Sequence, residues 1–130
     1  MSDDTLIPLP RPTSSTYQGA KLQWESPTLS VHYDYEHDDG TIEWVSLHFE
    51  NVLAFNYCEN SLIKAEHVTR SGYMQRLPSS PWLKEILKRR KEFLQLDQED
   101  PTRFSHFILY WDDNGSLEII AAGFLIKEFR

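Results

Sequence analysis

Hydrophobic and polar residues alternate along residues 28–50, on both sides of the sequence Asp38-Asp39-Gly40. This period of two predicts a β-hairpin with one buried face and one polar face. A two-residue turn at Asp39-Gly40 would set apolar residues opposite polar ones, so we favour a three-residue loop with Gly40 in the left-handed conformation. That register gives three apolar pairs, Leu29 with Phe49, Val31 with Leu47 and Tyr33 with Val45.

Shorter apolar segments flank this hairpin, and a helix is predicted further along the chain. Residues 21–25 fit a short strand, and residues 52–57 predict a third strand or a bulged continuation of the hairpin. Ser80-Pro81 is typical of a helix start, because serine caps the first turn and proline is tolerated there. Apolar residues then recur with helical spacing, so we predict a helix over residues 81–95.

A second hairpin is predicted near the C-terminus. Residues 104–126 contain two strongly apolar stretches separated by Asn114-Gly115, which is a strong signal for a tight turn. Asp112 and Asp113 directly before it are explained by the same turn. Both strands are apolar on both faces. Strands whose two faces are both buried belong at the centre of a sheet.

The fold class that these elements predict is α+β, an antiparallel β-sheet with the C-terminal hairpin at its centre, packed against one main helix. A β-sandwich-like fold with one helix would also explain strands that are apolar on both faces, and it stays open as the alternative. Residues 1–19 are rich in proline, serine and threonine. We expect them to form an extended or disordered lead that takes part in neither a helix nor a sheet ladder. Residues 20–130 are expected to form a single domain, since 130 residues are too few for two ordinary domains.

The net charge of the chain is −7, from 20 acidic and 13 basic side chains. Such a surface repels phosphate backbones and anionic lipid headgroups and attracts cationic surfaces, so we expect no direct nucleic-acid partner and no membrane association. No apolar stretch approaches the roughly 20 residues of a membrane span. Cys58 has no second cysteine to pair with, and the N-terminus lacks the basic start and apolar stretch of a secretory signal, which favours a cytoplasmic location.

The polar positions of the first hairpin are the strongest candidates for a binding site. The candidate partner-binding residues are Asp34, Glu36, Asp38, Asp39, Glu43 and Trp44. In the favoured register Asp34, Glu36 and Trp44 point away from the apolar face, and the other three lie at the end of the hairpin. A tryptophan among carboxylates fits an anchor residue for a protein partner whose surface is basic, and it equally fits a side chain that packs beneath a loop or the N-terminal lead.

Two other sets of residues on this hairpin have the composition of a reactive site. Two histidines and two carboxylates resemble metal ligands, yet polar residues with this spacing occur on any solvated strand face. They are His32, Asp34, Glu36 and His48. Ser46, His48 and Asp34 can be drawn as a hydrolase triad, yet Ser46 lies in mid-strand without the exposed turn that activates a nucleophile. We therefore expect no catalytic residue, no metal and no cofactor.

The second hairpin and the helix offer two alternatives. In the two plausible registers of that hairpin His106 lies opposite Gly123 or Ala122, which leaves space beside its imidazole. A pocket near His106, Tyr110 and Gly123 would favour a small-ligand-binding protein or an enzyme, although such a histidine is more often a hydrogen-bonded core residue. The cations between residues 84 and 91 offer a site for an acidic partner, but a solvated helix face also explains them.

Three segments together resemble small bacterial proteins that are encoded beside polymorphic toxins of the contact-dependent or Rhs-like kind and are taken to be their immunity proteins. The segments are EWVSLHFENVLAF at 43–55, SPWLKEI at 80–86 and HFILYWDDNGSLEIIA at 106–121. The resemblance implies an α+β scaffold that binds a cognate toxin and blocks its active site, and it carries over no catalytic residue. Together with the acidic charge, it leads us to expect an immunity protein that occludes a basic active-site surface of a toxin domain with its acidic face.

Overall fold

A computed structural model of the chain describes residues 5–13, 19–59, 72–96, 100, 102–111 and 115–129. These residues form nine β-strands and one α-helix. The strands are β1 (Thr5–Pro8), β2 (Ala20–Glu25), β3 (Thr28–Glu36), β4 (Ile42–Glu50), β5 (Ala54–Cys58), β6 (Tyr73–Leu77), β7 (Ser105–Trp111), β8 (Gly115–Ala121) and β9 (Gly123–Phe129), and the helix α1 is Pro81–Leu94.

The strands are arranged in two antiparallel sheets. The larger sheet has the order β1-β6-β7-β8-β5, and the smaller has the order β2-β3-β4-β9. Their apolar faces share one core, to which Val31 and Leu47 contribute from the smaller sheet and Leu109 and Trp111 from the larger. The prediction of antiparallel β-structure with one main helix is confirmed for the described residues, with the strands divided between two sheets instead of gathered in one.

The hairpin of β3 and β4 has the predicted register. Its apolar pairs are Leu29 with Phe49, Val31 with Leu47 and Tyr33 with Val45, and all six side chains are fully buried. The backbone N–H of His37 donates to the carbonyl of Thr41 at 2.9 Å, so residues 38–40 form the three-residue loop. Gly40 has a φ of +84°, the left-handed conformation that the loop requires.

The hairpin of β7 and β8 pairs in a register that differs from both predicted ones. His106 lies opposite Ile120, and Trp111 lies opposite Gly115. Gly115 is the first residue of β8 instead of a turn residue, with a φ of +108°, and a Cβ atom there would collide with the carbonyl of Cys58 on β5. Asp112, Asp113 and Asn114, which the sequence predicts to lie in the turn, are outside the described residues. β7 is the third of the five strands in its sheet.

Helix α1 begins and ends close to the predicted limits. The hydroxyl of Ser80 accepts a hydrogen bond from the backbone N–H of Leu83 at 3.1 Å, and Pro81 occupies the first turn. Gln95 ends the helix in the left-handed conformation. Leu83 packs with Phe104 and Ile120 in a second cluster, so α1 covers the face of the larger sheet that is turned away from the shared core.

Two of the places where the chain passes from one sheet to the other, after β4 and between β8 and β9, lie next to each other. There the backbone N–H of Leu53 donates to the carbonyl of Ile120 at 2.8 Å, and that of Ala122 donates to Glu50 at 3.0 Å. These two hydrogen bonds join the two segments that pass between the sheets. Directly after the second segment, β9 pairs with β4 in the smaller sheet.

The N-terminal segment contributes a strand, β1, which pairs with β6 from Thr5 opposite Arg76 to Pro8 opposite Tyr73. The expectation that this proline-rich segment resists a sheet ladder is therefore wrong for Thr5–Pro8. The strand lies at the edge of its sheet and Pro8 is its last residue, and proline is tolerated in such positions because no neighbouring strand needs its missing N–H.

Candidate functional site

The tip of the β3–β4 hairpin carries three of the predicted partner-binding residues in exposed positions, Glu36, Asp38 and Asp39. The carboxylate of Asp39 accepts hydrogen bonds from the backbone N–H of Thr41 at 3.0 Å and from its hydroxyl at 2.6 Å. The N–H of Gly40 donates to the carbonyl of His37 at 2.9 Å. These bonds fix the backbone of the loop and the carboxylate of Asp39. We refer to Glu36, Asp38 and Asp39 as the acidic tip.

Glu43, predicted to bind a partner from the end of the hairpin, is buried and is not part of an exposed face. Its side chain is 1% exposed. The guanidinium of Arg11 donates to both carboxylate oxygens at 2.9 and 3.2 Å, and His37 Nε2 lies 3.1 Å from Oε1. The hydrogen bond with Glu43 raises the pKa of Arg11. The carboxylate therefore anchors the N-terminal segment to the hairpin.

Asp34 is also buried, with an exposure of 0%, where an outward position was predicted. Its carboxylate accepts a hydrogen bond from the backbone N–H of Gly19 at 3.3 Å. The chain that enters β2 covers this end of the polar face. The hydrophobic pattern of the sequence does not predict this cover. Trp44, opposite Asp34 in the ladder, is partly buried and has Lys21 Nζ 5.1 Å from its ring centroid.

The middle of the polar face of the smaller sheet is not acidic. The ladders of β2, β3, β4 and β9 align two rows of side chains across it, namely Lys21, His32, Ser46 and Lys127, then Gln23, Ser30, His48 and Leu125. Sequence reasoning missed both lysines as members of this face, because only the pairing of β2 and β9 with the hairpin places them there. We refer to these two rows as the central face.

The hydroxyl–imidazole pairs of the central face are not those of the proposed triad. His32 Nδ1 lies 2.7 Å from the hydroxyl of Ser46, and His48 Nδ1 lies 3.0 Å from that of Ser30. Burial, followed by the charges of His48 and Lys21, lowers the pKa of His32. Within the described part of the chain, no group of three or more His, Cys, Asp or Glu side chains lies close enough to hold a metal ion.

His106 is a hydrogen-bonded core residue that joins the larger sheet to the helix. Its Nδ1 lies 2.8 Å from the hydroxyl of Ser80 and its Nε2 lies 2.9 Å from Glu118 Oε1. Its ring meets that of Trp82 edge-on, with centroids 5.1 Å apart. Gly123, expected beside it, begins β9 in the other sheet. The structure therefore does not bring together the residues of the predicted pocket.

Comparison of the chain with protein-family models, with curated proteins and with solved structures gives no match. The described residues contain no helix with the length and hydrophobicity needed to cross a membrane.

Proposed function

We propose that the protein is an immunity protein that binds a cognate bacterial toxin and neutralises it by covering a basic active-site surface with the acidic tip. The observation that carries this proposal is the exposure of Glu36, at the end of β3, and of Asp38 and Asp39, on the loop that hydrogen bonds hold in place. A loop that is ordered before binding loses less conformational entropy in the complex. Carboxylates that face a cationic surface raise the association rate and select the partner.

Five of the six predicted partner-binding residues divide into two roles in this proposal. The acidic tip contacts the toxin. Asp34 and Glu43 hold the hairpin against the chain around Gly19 and Arg11, and so keep the acidic tip rigid. Trp44 lies on the polar face beside Asp34, away from the loop.

We also propose that the protein acts in the cytoplasm without catalysing a reaction, since one cysteine and an acidic composition suit a cytosolic inhibitor. The finer description of the fold that goes with this function is an α+β scaffold. In it, the β7–β8 hairpin lies at the centre of the sheet that carries α1, and the β3–β4 hairpin presents the acidic tip. The alternative of a ligand site near His106 receives no support from the geometry, because both ring nitrogens of His106 have protein partners.

The proposal is tested by growth protection, with the chain co-expressed with the toxin domain encoded beside its gene. The double variant Glu36→Lys, Asp38→Lys should lose protection, because the carboxylates that face the basic surface of the toxin become cations. The matched control is Glu25→Lys, Glu92→Lys, which changes the net charge equally at exposed positions away from the acidic tip and should still protect.

Binding kinetics give the second measurement. At low salt the association rate of the tip variant should fall by roughly tenfold or more, while that of the control changes little. Full protection by the tip variant, with an unchanged association rate, would contradict the proposal.

A further inference from the structure

The two sheets have four edge strands, β1, β5, β2 and β9, and they differ in the features that keep another strand from pairing with them. β1 ends in Pro8, which has no backbone N–H to donate. β9 carries Glu128 opposite Val45, so a charge lies on the side of this strand that faces the core. Proline and inward-facing charges both hinder pairing between sheet edges. β2 has neither, and its residues on the core-facing side are Ala20, Leu22 and Trp24.

Apolar side chains are exposed along β2 and along β5, the edge strand of the other sheet. Leu22 lies opposite the buried Val31, yet it is 41% exposed. Trp24 lies opposite the buried Leu29 and is 46% exposed. The ring of Trp24 packs on that of Phe55 of β5, which is also exposed, with the centroids 5.3 Å apart. Neighbouring apolar side chains that are exposed in this way are typical of a site where another protein binds. We refer to Leu22, Trp24 and Phe55 as the lateral patch.

The sequence of β2 is complementary to itself when two copies run antiparallel. With Gln23 opposite Gln23 of the second copy, Leu22 lies opposite Trp24 of the second copy, so apolar side chains meet on the core-facing side. On the polar side Glu25 lies opposite Lys21 of the second copy, so no two like charges face each other. These charges act across the ladder without direct contact, so Lys21 keeps the contacts that it makes within its own chain. An interface on a two-fold axis needs this self-complementarity.

We propose that the chain forms a two-fold symmetric dimer in which the two copies of β2 pair antiparallel, centred on Gln23. Every second residue of an antiparallel edge strand directs its N–H and C=O away from its own sheet, and in the dimer these groups bond to the second copy. The two four-stranded sheets become one continuous sheet, and the two lateral patches come together and exclude water. The acidic tip lies beyond Ala20, the residue of β2 nearest to it, so toxin binding and dimerisation can each hold without the other.

The first test is sedimentation velocity of the full chain between about 10 and 500 μM. The natural chain should change from monomer to dimer over this range. Trp24→Lys should weaken the association roughly tenfold or more, because the lost apolar pair occurs twice across the axis. The matched control is Phe93→Lys, which removes a more exposed apolar side chain on α1 and should associate like the natural chain. Circular dichroism checks that both variants fold. A natural chain that stays monomeric, or equal association of the two variants, overturns the proposal.

A disulfide tests the register of the two strands. Both proteins for this test carry Cys58→Ser, so that the introduced thiol is the only one in the chain. Gln23→Cys sets two thiols opposite each other on the two-fold axis, within reach of a disulfide, and mild oxidation should give a covalent dimer. Glu25→Cys, on the same side of β2, is the matched control and should not cross-link. Its two copies lie about 14 Å apart, because four residues of strand separate them. Equal cross-linking of the two variants, or none in Gln23→Cys, overturns the pairing of β2 with itself.

Discussion

Both hairpins place a glutamate against a histidine, but they use the pair to hold different parts of the chain. In the β3–β4 hairpin Glu43 binds His37 and the guanidinium of Arg11, and Arg11 belongs to the N-terminal segment. In the β7–β8 hairpin Glu118 binds His106, whose other nitrogen binds Ser80 at the start of α1. The first set of contacts is partly exposed, with 32% of the Arg11 side chain accessible, whereas the exposures of His106 and Glu118 are 6% and 12%.

The difference shows what such carboxylates do in this fold. Each one attaches a segment that the ladder of its own hairpin does not hold, the N-terminal segment in one case and the helix in the other. A partner that water can replace contributes less to stability than a partner that is shielded from water. We therefore expect the contacts around His106 to contribute more to stability than those around Glu43.

The largest effect is expected for His106→Leu, which removes the hydrogen bonds to Ser80 and Glu118 in a buried place. We expect a loss of about 3 kcal/mol in the free energy of unfolding, because desolvated polar groups lose their partner and the serine that caps α1 loses its support. Urea unfolding followed by circular dichroism measures it. The matched control is His48→Leu, a partly exposed histidine bound to Ser30, for which we expect less than about 1 kcal/mol. Equal losses in the two variants would remove the distinction between these sites.

A smaller loss is expected for Glu43→Gln. The amide keeps the volume of the side chain but loses the charge that binds Arg11 and His37, and Arg11 regains water at its exposed side. We expect a loss of roughly 2 kcal/mol in the free energy of unfolding. Glu36→Gln on the same hairpin is exposed and should change stability by no more than about 0.5 kcal/mol. A loss as large as that of His106→Leu would show that the exposure of Arg11 does not weaken the contribution of its contact with Glu43 to stability.

Tyr33→Phe tests the other contact that holds the N-terminal segment, the hydrogen bond from the Tyr33 hydroxyl to the carbonyl of Arg11 at 2.8 Å. We expect a loss of about 1 kcal/mol at neutral pH. Burial raises the pKa of Tyr33 above its ordinary value of 10.0, so the folded state favours the neutral phenol. That contribution is fully present below pH 10.0 and is lost as the pH rises further, because the unfolded chain ionises first.

The pH dependence of unfolding between pH 9 and 11 checks this prediction. The natural chain should lose stability more steeply than Tyr33→Phe, which has no phenol to ionise at this position. Parallel curves for the two proteins would mean that Tyr33 does not contribute to the alkaline loss.

The two hairpins also differ in how far their sequences determine them. In β3 and β4 one face is apolar and the other polar, so a slip by one residue would expose Val31 and Leu47, and the pattern specifies a single register. In β7 and β8 both faces are apolar, so the pattern allows several registers. The observed one depends on the close approach of Gly115 to Cys58 on β5, a strand far away in the sequence.

Only part of the candidate binding site could be predicted from the sequence. Exposure of the acidic tip follows from the turn sequence around Gly40. Burial of Asp34 and Glu43 does not follow from it, because their partners Gly19 and Arg11 are 15 and 32 residues away in a segment without periodicity. The two rows of the central face depend on the neighbouring strands β2 and β9, and the alternation within the hairpin cannot specify the positions of these strands.

The smallest effect is expected at His32, which differs from His106 in having one ring nitrogen without a protein partner in the described residues. Its lowered pKa means that the folded state binds a proton less readily than the unfolded chain, whose histidine titrates near 6.5. The contribution of neutral His32 is therefore present above pH 6.5 and is lost as the pH falls below that value. Thermal unfolding at pH 7.5 and pH 5.5 should show a smaller acid loss in His32→Gln than in the natural chain, because glutamine does not titrate. If the acid loss is the same in both proteins, burial and the charges of His48 and Lys21 do not act on His32 strongly enough to affect folding.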